Sequence, residues 1–376
     1  MEAARKRYFR AQTHLEKTTV TTRTSILKRF EASLPAGVTL GLVNAGHIER
    51  FLEMKSRRTK QPVNLQTRHG YLGALRYFFS WCVEQKLLTR DPSQAVKLPA
   101  LGRRIPEFLT PAEYHRFMTA LDAVYEERRN RPDKRYRIAE GDVIWIREPV
   151  AFALATGLRI SDVVRLRWDQ VRLDAGIIQV DDRTKTGNEY VVPIFDLAAR
   201  VLETQLAKRK APGEPGEDLV FRAQRHGRKR GGSGRASEAG RLSKTNLQTL
   251  FRAVRDAARL PKNISFHSLR HTFATWMLMQ TNNIRLVSAL LGHTNLDQTQ
   301  DYAHVALLAM RSIRPQDFEE IGVSWHRWQN AGAAAGSGRV SSAPGSSRPR
   351  RSSSGRSRST GSSRSGPSWG SRAAGR

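Results

Sequence analysis

The segment 98–106, Leu-Pro-Ala-Leu-Gly-Arg-Arg-Ile-Pro, carries Pro99, Gly102 and Pro106 within nine residues. No helix passes through such a run, because each proline removes a backbone donor and forces its predecessor out of the helical region. The chain is therefore divided there and must build its core in two parts. Its 376 residues are enough for two cored domains. Upstream, 18–100 reads as helical throughout, with 1–17 as an N-terminal extension. Short amphipathic pieces fall at 21–34 and 45–55. A longer helix is predicted over 64–88, where Leu72, Leu75, Phe78, Phe79, Trp81 and Cys82 recur at three-to-four spacing. Asp91-Pro92 stops it.

After a linker at 101–107, Thr110-Pro111-Ala112-Glu113 has the form of a helix start: an N-cap threonine, proline at the first helical position and an acid in the first turn. An apolar helix over 148–155 leads into Gly157. Two strands are predicted at 177–180 and 190–193, around a turn holding Lys185. Helices are expected at 197–209, 243–258, 267–280 and 285–291. The second domain, 108–320, is thus mostly helical with a small sheet, and the fold class is mainly α. The stretch 221–241 reads as a mobile basic loop. Within the C-terminal extension 321–376, the Gly/Ser/Arg-rich part from 331 is too poor in apolar residues to form a core and reads as disordered.

Charge narrows the class of partner. The formal net charge is +30 with a pI of about 11.2. Removing the nine arginines of 331–376, which holds no acid, still leaves a body at +21. Such a balance points to nucleic acid, although ribosomal and chromatin proteins share it. Cys82 is the single cysteine, which excludes a disulfide framework and fits a reducing cytoplasm. The apolar stretches are too short for a membrane span. Neither a nucleotide-binding glycine loop nor a zinc-type histidine–glutamate helix occurs. The acids are scattered, which argues against a two-metal nuclease.

Four motifs carry chemistry: Gly157-Leu158-Arg159-Ile160-Ser161-Asp162, Thr184-Lys185-Thr186-Gly187, His267-Ser268-Leu269-Arg270-His271, and Gly292-His293 followed by Tyr302. Each alone has an ordinary structural reading: a helix end at glycine, an exposed lysine at a hairpin turn, a polar helix face, a half-buried tyrosine. Together they supply what a metal-free attack on a DNA phosphodiester requires. A phenol serves as nucleophile, and forked guanidinium groups hold the charge that builds on the phosphorus oxygens.

In this set and order the motifs resemble those of the tyrosine recombinase (phage integrase) family, over about 18–320. The resemblance implies a helical, SAM-like core-binding domain at 18–100, a catalytic domain at 108–320 with the DNA breaking-rejoining fold, and a short terminal helix after Tyr302, at 305–313. It implies that Arg159 and Arg270 clamp the scissile phosphate, that His267 and His293 assist, and that Lys185 is the general acid. Tyr302 would form a 3′-phosphotyrosine link. Asp162, where the family more often has Glu, would orient the site from behind; His271 reads as a packing residue. No cofactor or metal is implied. The partners implied are double-stranded DNA, three further copies of the chain on two recombination sites, and accessory DNA-bending proteins, with the protein on cytoplasmic nucleoid DNA and no membrane. The leading expectation is a site-specific DNA recombinase or integrase, whether of a phage, an integrative element or a chromosomal resolution system. The alternatives are a type IB topoisomerase-like relaxing enzyme and a catalytically silent DNA-binding accessory protein.

Overall fold

The computed structural model describes residues 1–55, 60–102, 106–129, 144–181, 189–209, 217–222, 242–293, 295–296, 299–300, 302–303, 306 and 313–330. They are mainly helical, with one small antiparallel sheet. The expected turn at Lys185, the basic loop beyond Arg222, most of the short helix after Tyr302 and the arginine-rich tail lie outside the described residues. No helix among those described is long and apolar enough to cross a membrane.

Four helices build the first core: α1 (Glu2–Ala11), α2 (Lys17–Glu31), α3 (Ala45–Leu52) and α4 (Leu65–Glu84). The Asn64 side chain accepts from the Thr67 amide at 2.8 Å and so starts α4. Its buried stripe, Leu72, Leu75, Phe78, Phe79, Trp81 and Cys82, is the one read from the spacing. The rings meet edge to face: Phe30 on Phe79 at 6.0 Å and 88°, Tyr8 on Phe78 at 5.6 Å and 86°. The position of Tyr8 extends this core upstream of Thr18. Residues 2–11 form α1, Tyr8 is only 1% exposed, and Arg5 pairs with Glu31 of α2 at 3.0 Å. Sequence periodicity misses α1 because its apolar content is little more than Tyr8 and Phe9. Burying one large ring nonetheless stabilises the fold by about 1.5–3 kcal/mol.

The second core is organised by α6 (Arg147–Thr156), whose residues Pro149–Thr156 are all buried. It packs against α8 (Asp196–Ala207) and α10 (Ser268–Thr281). Before it runs α5 (Pro111–Arg129), which opens with the expected box: the Glu113 amide donates to Thr110 Oγ1, and the Thr110 amide donates to Glu113 Oε2 at 2.9 Å. The segment before that box is fixed to α10, since the Leu109 amide donates to Thr272 Oγ1 and Trp276 Nε1 to the Leu109 carbonyl. The sheet runs β1 (Val171–Arg172), β2 (Ile177–Asp181), β3 (Glu189–Pro193), with Ile178 opposite Val192 and Asp181 opposite Glu189. The first of these strands, two residues long, is too short to leave an alternation in the sequence.

Further helices are α7 (Ile160–Val163), α9 (Lys244–Ala257), α11 (Ile284–Leu290) and α12 (Pro315–Ile321). The second core does not stop at 320. Val323 is fully buried, Phe318 and Ile321 nearly so, and Trp325 and Trp328 flank Phe195 at 6.3 and 6.4 Å. Gln280 of α10 holds this segment at both ends of its amide, donating to the Val323 carbonyl at 3.1 Å and accepting from the Trp325 amide at 2.9 Å.

Candidate active site

The end of α6 is set by Gly157, which takes a left-handed conformation with φ 65°. A Cβ there would lie 2.4 Å from Cδ1 of Phe273, so both the turn and the close approach require glycine. Two residues on, Arg159 is the extended N-cap of α7, and Asp162 follows inside that short helix.

From the other side comes α10, with His267 at its N-cap and Arg270 and His271 in the first turn. Arg270 is only 2% exposed. Its Nη1 donates to the Gly157 carbonyl at 2.8 Å, and its Nη2 to the carbonyl of Leu291 at the end of α11. One guanidinium thereby fixes the turn before Arg159 and the turn before His293. Both partners are neutral carbonyls, so the positive charge is held in place without being cancelled.

The turn after α11 closes on β3. Gly292 has φ 61°, and a Cβ there would meet the Tyr190 ring at 2.6 Å. The Tyr190 hydroxyl is buried beside Arg270, with no hydrogen-bond partner of good geometry among the described residues. Burial raises its pKa, opposed by Arg270 and Arg159 and assisted by Asp162. His293 Nδ1 lies 2.9 Å from Oγ1 of the fully buried Thr299. Tyr302 sits on the helical segment that follows, 4% exposed, with its hydroxyl 2.7 Å from His271 Nδ1. The His267 and His271 rings stand edge to face with centroids 4.6 Å apart.

The electrostatics of this cluster follow from burial next to two cations. Arg270 has its pKa lowered by burial and then by Arg159. His267 opens to solvent, yet its pKa is lowered too, by desolvation of its inner side and then by Arg270 and Arg159. His271 and His293 are both pushed down to about 4, each chiefly by burial. The next causes are His267 and Arg270 for His271, and Arg270 and Arg159 for His293. Near pH 7 those two imidazoles are neutral and can accept a hydrogen bond. The cluster has the character of an anion site: fixed guanidinium charge, neutral imidazoles and a phenol.

Arg159, Asp162, His267, Arg270, His293 and Tyr302 therefore come from four separate stretches into one neighbourhood. Lys185 lies outside the described residues, between β2 and β3. The expectation for His271 needs revision, since its ring reaches the Tyr302 hydroxyl as well as packing. Its place four residues after His267, on the same helix face, is the signal that could have marked it. Nothing in the spacing pointed to Tyr190 or Thr299.

Residues 107–307 match the model of the phage integrase family. The chain belongs to that family. Among curated tyrosine recombinases, XerD of Pseudomonas putida is 30% identical over 283 residues, covering 74% of this chain and 83% of the relative. XerC of Yersinia pestis is 28% identical, over 80% of this chain and 88% of its own length. The fold agrees with that of solved integrases. A lambda integrase fragment crystallised as a dimer bound to a COC′ core site superposes with a TM-score of 0.59 at 18% identity, over 80% of this chain and 94% of the fragment. The Tn1549 transposon integrase in complex with transposon right end DNA gives 0.61 at 16% identity, over 82% and 97%. This tyrosine recombinase thus has the mainly helical fold with a small sheet that its sequence predicts.

Proposed function

We propose that this protein is a site-specific DNA recombinase that cuts and rejoins strands through a 3′-phosphotyrosine intermediate, without metal or nucleotide. The observation that carries the reading is the delivery of the Tyr302 hydroxyl to the first turn of α10, beside His271 and within electrostatic reach of Arg270. In the reaction, the Tyr302 hydroxyl gives up its proton to the surrounding water as its oxygen attacks phosphorus, the bond to the 5′ oxygen breaks, and Lys185 supplies the proton that the departing oxygen takes up. Arg159 and Arg270 hold the two non-bridging oxygens as their charge grows, a task worth on the order of 10²–10³ in rate per donor. His267 and His293 complete the cradle, and Asp162 steadies the arginine turn. Rejoining reverses the step with a 5′ hydroxyl from a second duplex, so the phosphodiester energy is conserved in the protein–DNA ester.

The lambda integrase tetramer solved on a Holliday junction, whose fold this chain shares with a TM-score of 0.57, supports an assembly of four protomers on two sites. The test is direct. Purified protein is incubated with fragmented genomic DNA, denatured and run on a gel. A covalent adduct is expected for the wild type and none for Tyr302→Phe, with DNA binding retained in both. An adduct that persists in Tyr302→Phe rejects the nucleophile. Relaxation of supercoils with no joining of unlike ends would instead favour a topoisomerase.

A further inference from the structure

We propose that His271 is the positioning residue for Tyr302, holding its hydroxyl by a hydrogen bond and so fixing the phenol beside the cations of its own subunit before a DNA strand enters. The inference rests on the reading of Tyr302 as the nucleophile. The contact is short and built in: Nδ1 to Oη is 2.7 Å, with the two rings 5.6 Å apart and tilted by 43°. Both partners are held from behind. His271 follows Arg270, whose guanidinium is fixed to the Gly157 and Leu291 carbonyls, and the His267 ring abuts it edge-on. Tyr302 is almost fully enclosed.

The groups facing His271 favour a hydrogen bond over an ion pair. His267 and Arg270 both disfavour a second positive charge there, after burial itself. An uncharged imidazole keeps an acceptor nitrogen available across the neutral range. The phenol is then aimed by a group that does not compete with the phosphate for the arginines. A purely structural account would have His271 do no more than satisfy a buried hydroxyl, and the two accounts separate on substitution.

The experiment is single-turnover cleavage on a nicked duplex of the sequence that wild-type protein captures covalently from fragmented genomic DNA, at saturating DNA. His271→Phe keeps a ring of similar shape and removes the hydrogen bond. His271→Asn returns a polar atom two bonds from Cβ, where Nδ1 stood. His271→Gln carries its amide one bond too far. The expected result is DNA binding unchanged in all three, adduct formation slowed by about 10²-fold in Phe and Gln, the cost of an ångström-scale misplacement, and most of the rate restored in Asn. Phe cleaving as fast as wild type overturns the proposal, as does Asn being as slow as Phe. If Phe does not fold, the Asn and Gln pair decides, and equal rates overturn it. Tyr302→Phe runs alongside: an adduct in that variant sinks the parent reading, whereas its absence with a fast His271→Phe sinks only this one.

Discussion

The carbonyl of Gly157 accepts a hydrogen bond from Nη1 of Arg270 at 2.8 Å across 113 residues of sequence. The end of one helix and the first turn of another are therefore a single mechanical part, and the arginine turn at 157–159 cannot shift without moving Arg270.

Gly157→Ala tests that coupling. The left-handed conformation alone costs a residue with a Cβ about 1–2 kcal/mol, and the methyl group would meet the Phe273 ring at 2.4 Å. A fall in urea stability of roughly 2–4 kcal/mol is expected from the two together, with cleavage lost by more than the unfolded fraction explains. Wild-type stability in this variant would contradict the close packing of Gly157 on Phe273.

The two arginines should part company on conservative substitution. Arg159→Lys keeps charge and loses the fork, so cleavage should drop by about 10²–10³ with folding intact. Arg270→Lys should lose cleavage as well, and in addition lower the unfolding temperature, because a lysine cannot serve the Gly157 and Leu291 carbonyls together. Equal stability of the two variants would show that the carbonyl contacts contribute little.

Lys185 is tested by chemistry. Lys185→Ala should slow cleavage of ordinary DNA by roughly 10²–10⁴. On a substrate with sulfur at the bridging position, which leaves without a proton, the defect should largely vanish, while Arg159→Ala and Arg270→Ala stay impaired. A Lys185→Ala defect of the same size on both substrates removes the general-acid role.

Stability should depend on pH with a definite sign. His271 and His293, at about 4 in the folded protein, stand below the value near 6.5 of an unfolded chain. Between those values the unfolded chain binds more protons. Stability is then fully present above about pH 7 and declines as pH falls from 6.5 toward 4. Urea midpoints across this range should show it, and the double variant His271→Asn, His293→Asn should flatten the slope. An unchanged slope would place the acid sensitivity elsewhere.

Much of this architecture was legible because it depends on local rules. The stripe from Leu72 to Cys82, the box of Thr110 and Glu113 and the glycine after Thr156 all act within a few residues, and each appears where the spacing placed it. What stayed hidden depends on distant partners. Tyr8 is an unremarkable tyrosine until Phe78 and Trp81 meet it. Trp325 and Trp328 gain their place only from Phe195 and Gln280. His271 reads as a packing residue until the Tyr302 hydroxyl is seen to meet its ring.

The segment held by Gln280 leads to a paired prediction about the C-terminus. Removing 331–376 should leave stability and cleavage unchanged and shallow the salt dependence of DNA binding, since it deletes nine arginines and no acid. Removing 314–376 should destabilise the protein strongly, because it strips Phe318, Ile321, Val323 and both tryptophans from the second core. Matching unfolding curves for the two truncations would refute this.

Among the described residues, the hydrophobic cluster around Phe78 and Phe79 and the one around α6 have no member in common. Substitutions inside either should therefore leave the packing of the other intact, including the surroundings of Arg270 and Tyr302. Chimaeras that join the first core of one relative to the second core of another through the proline-bounded segment at 98–106 should fold. On the proposed function, such an exchange would replace the first core while leaving the arrangement of Arg270 and Tyr302 in place.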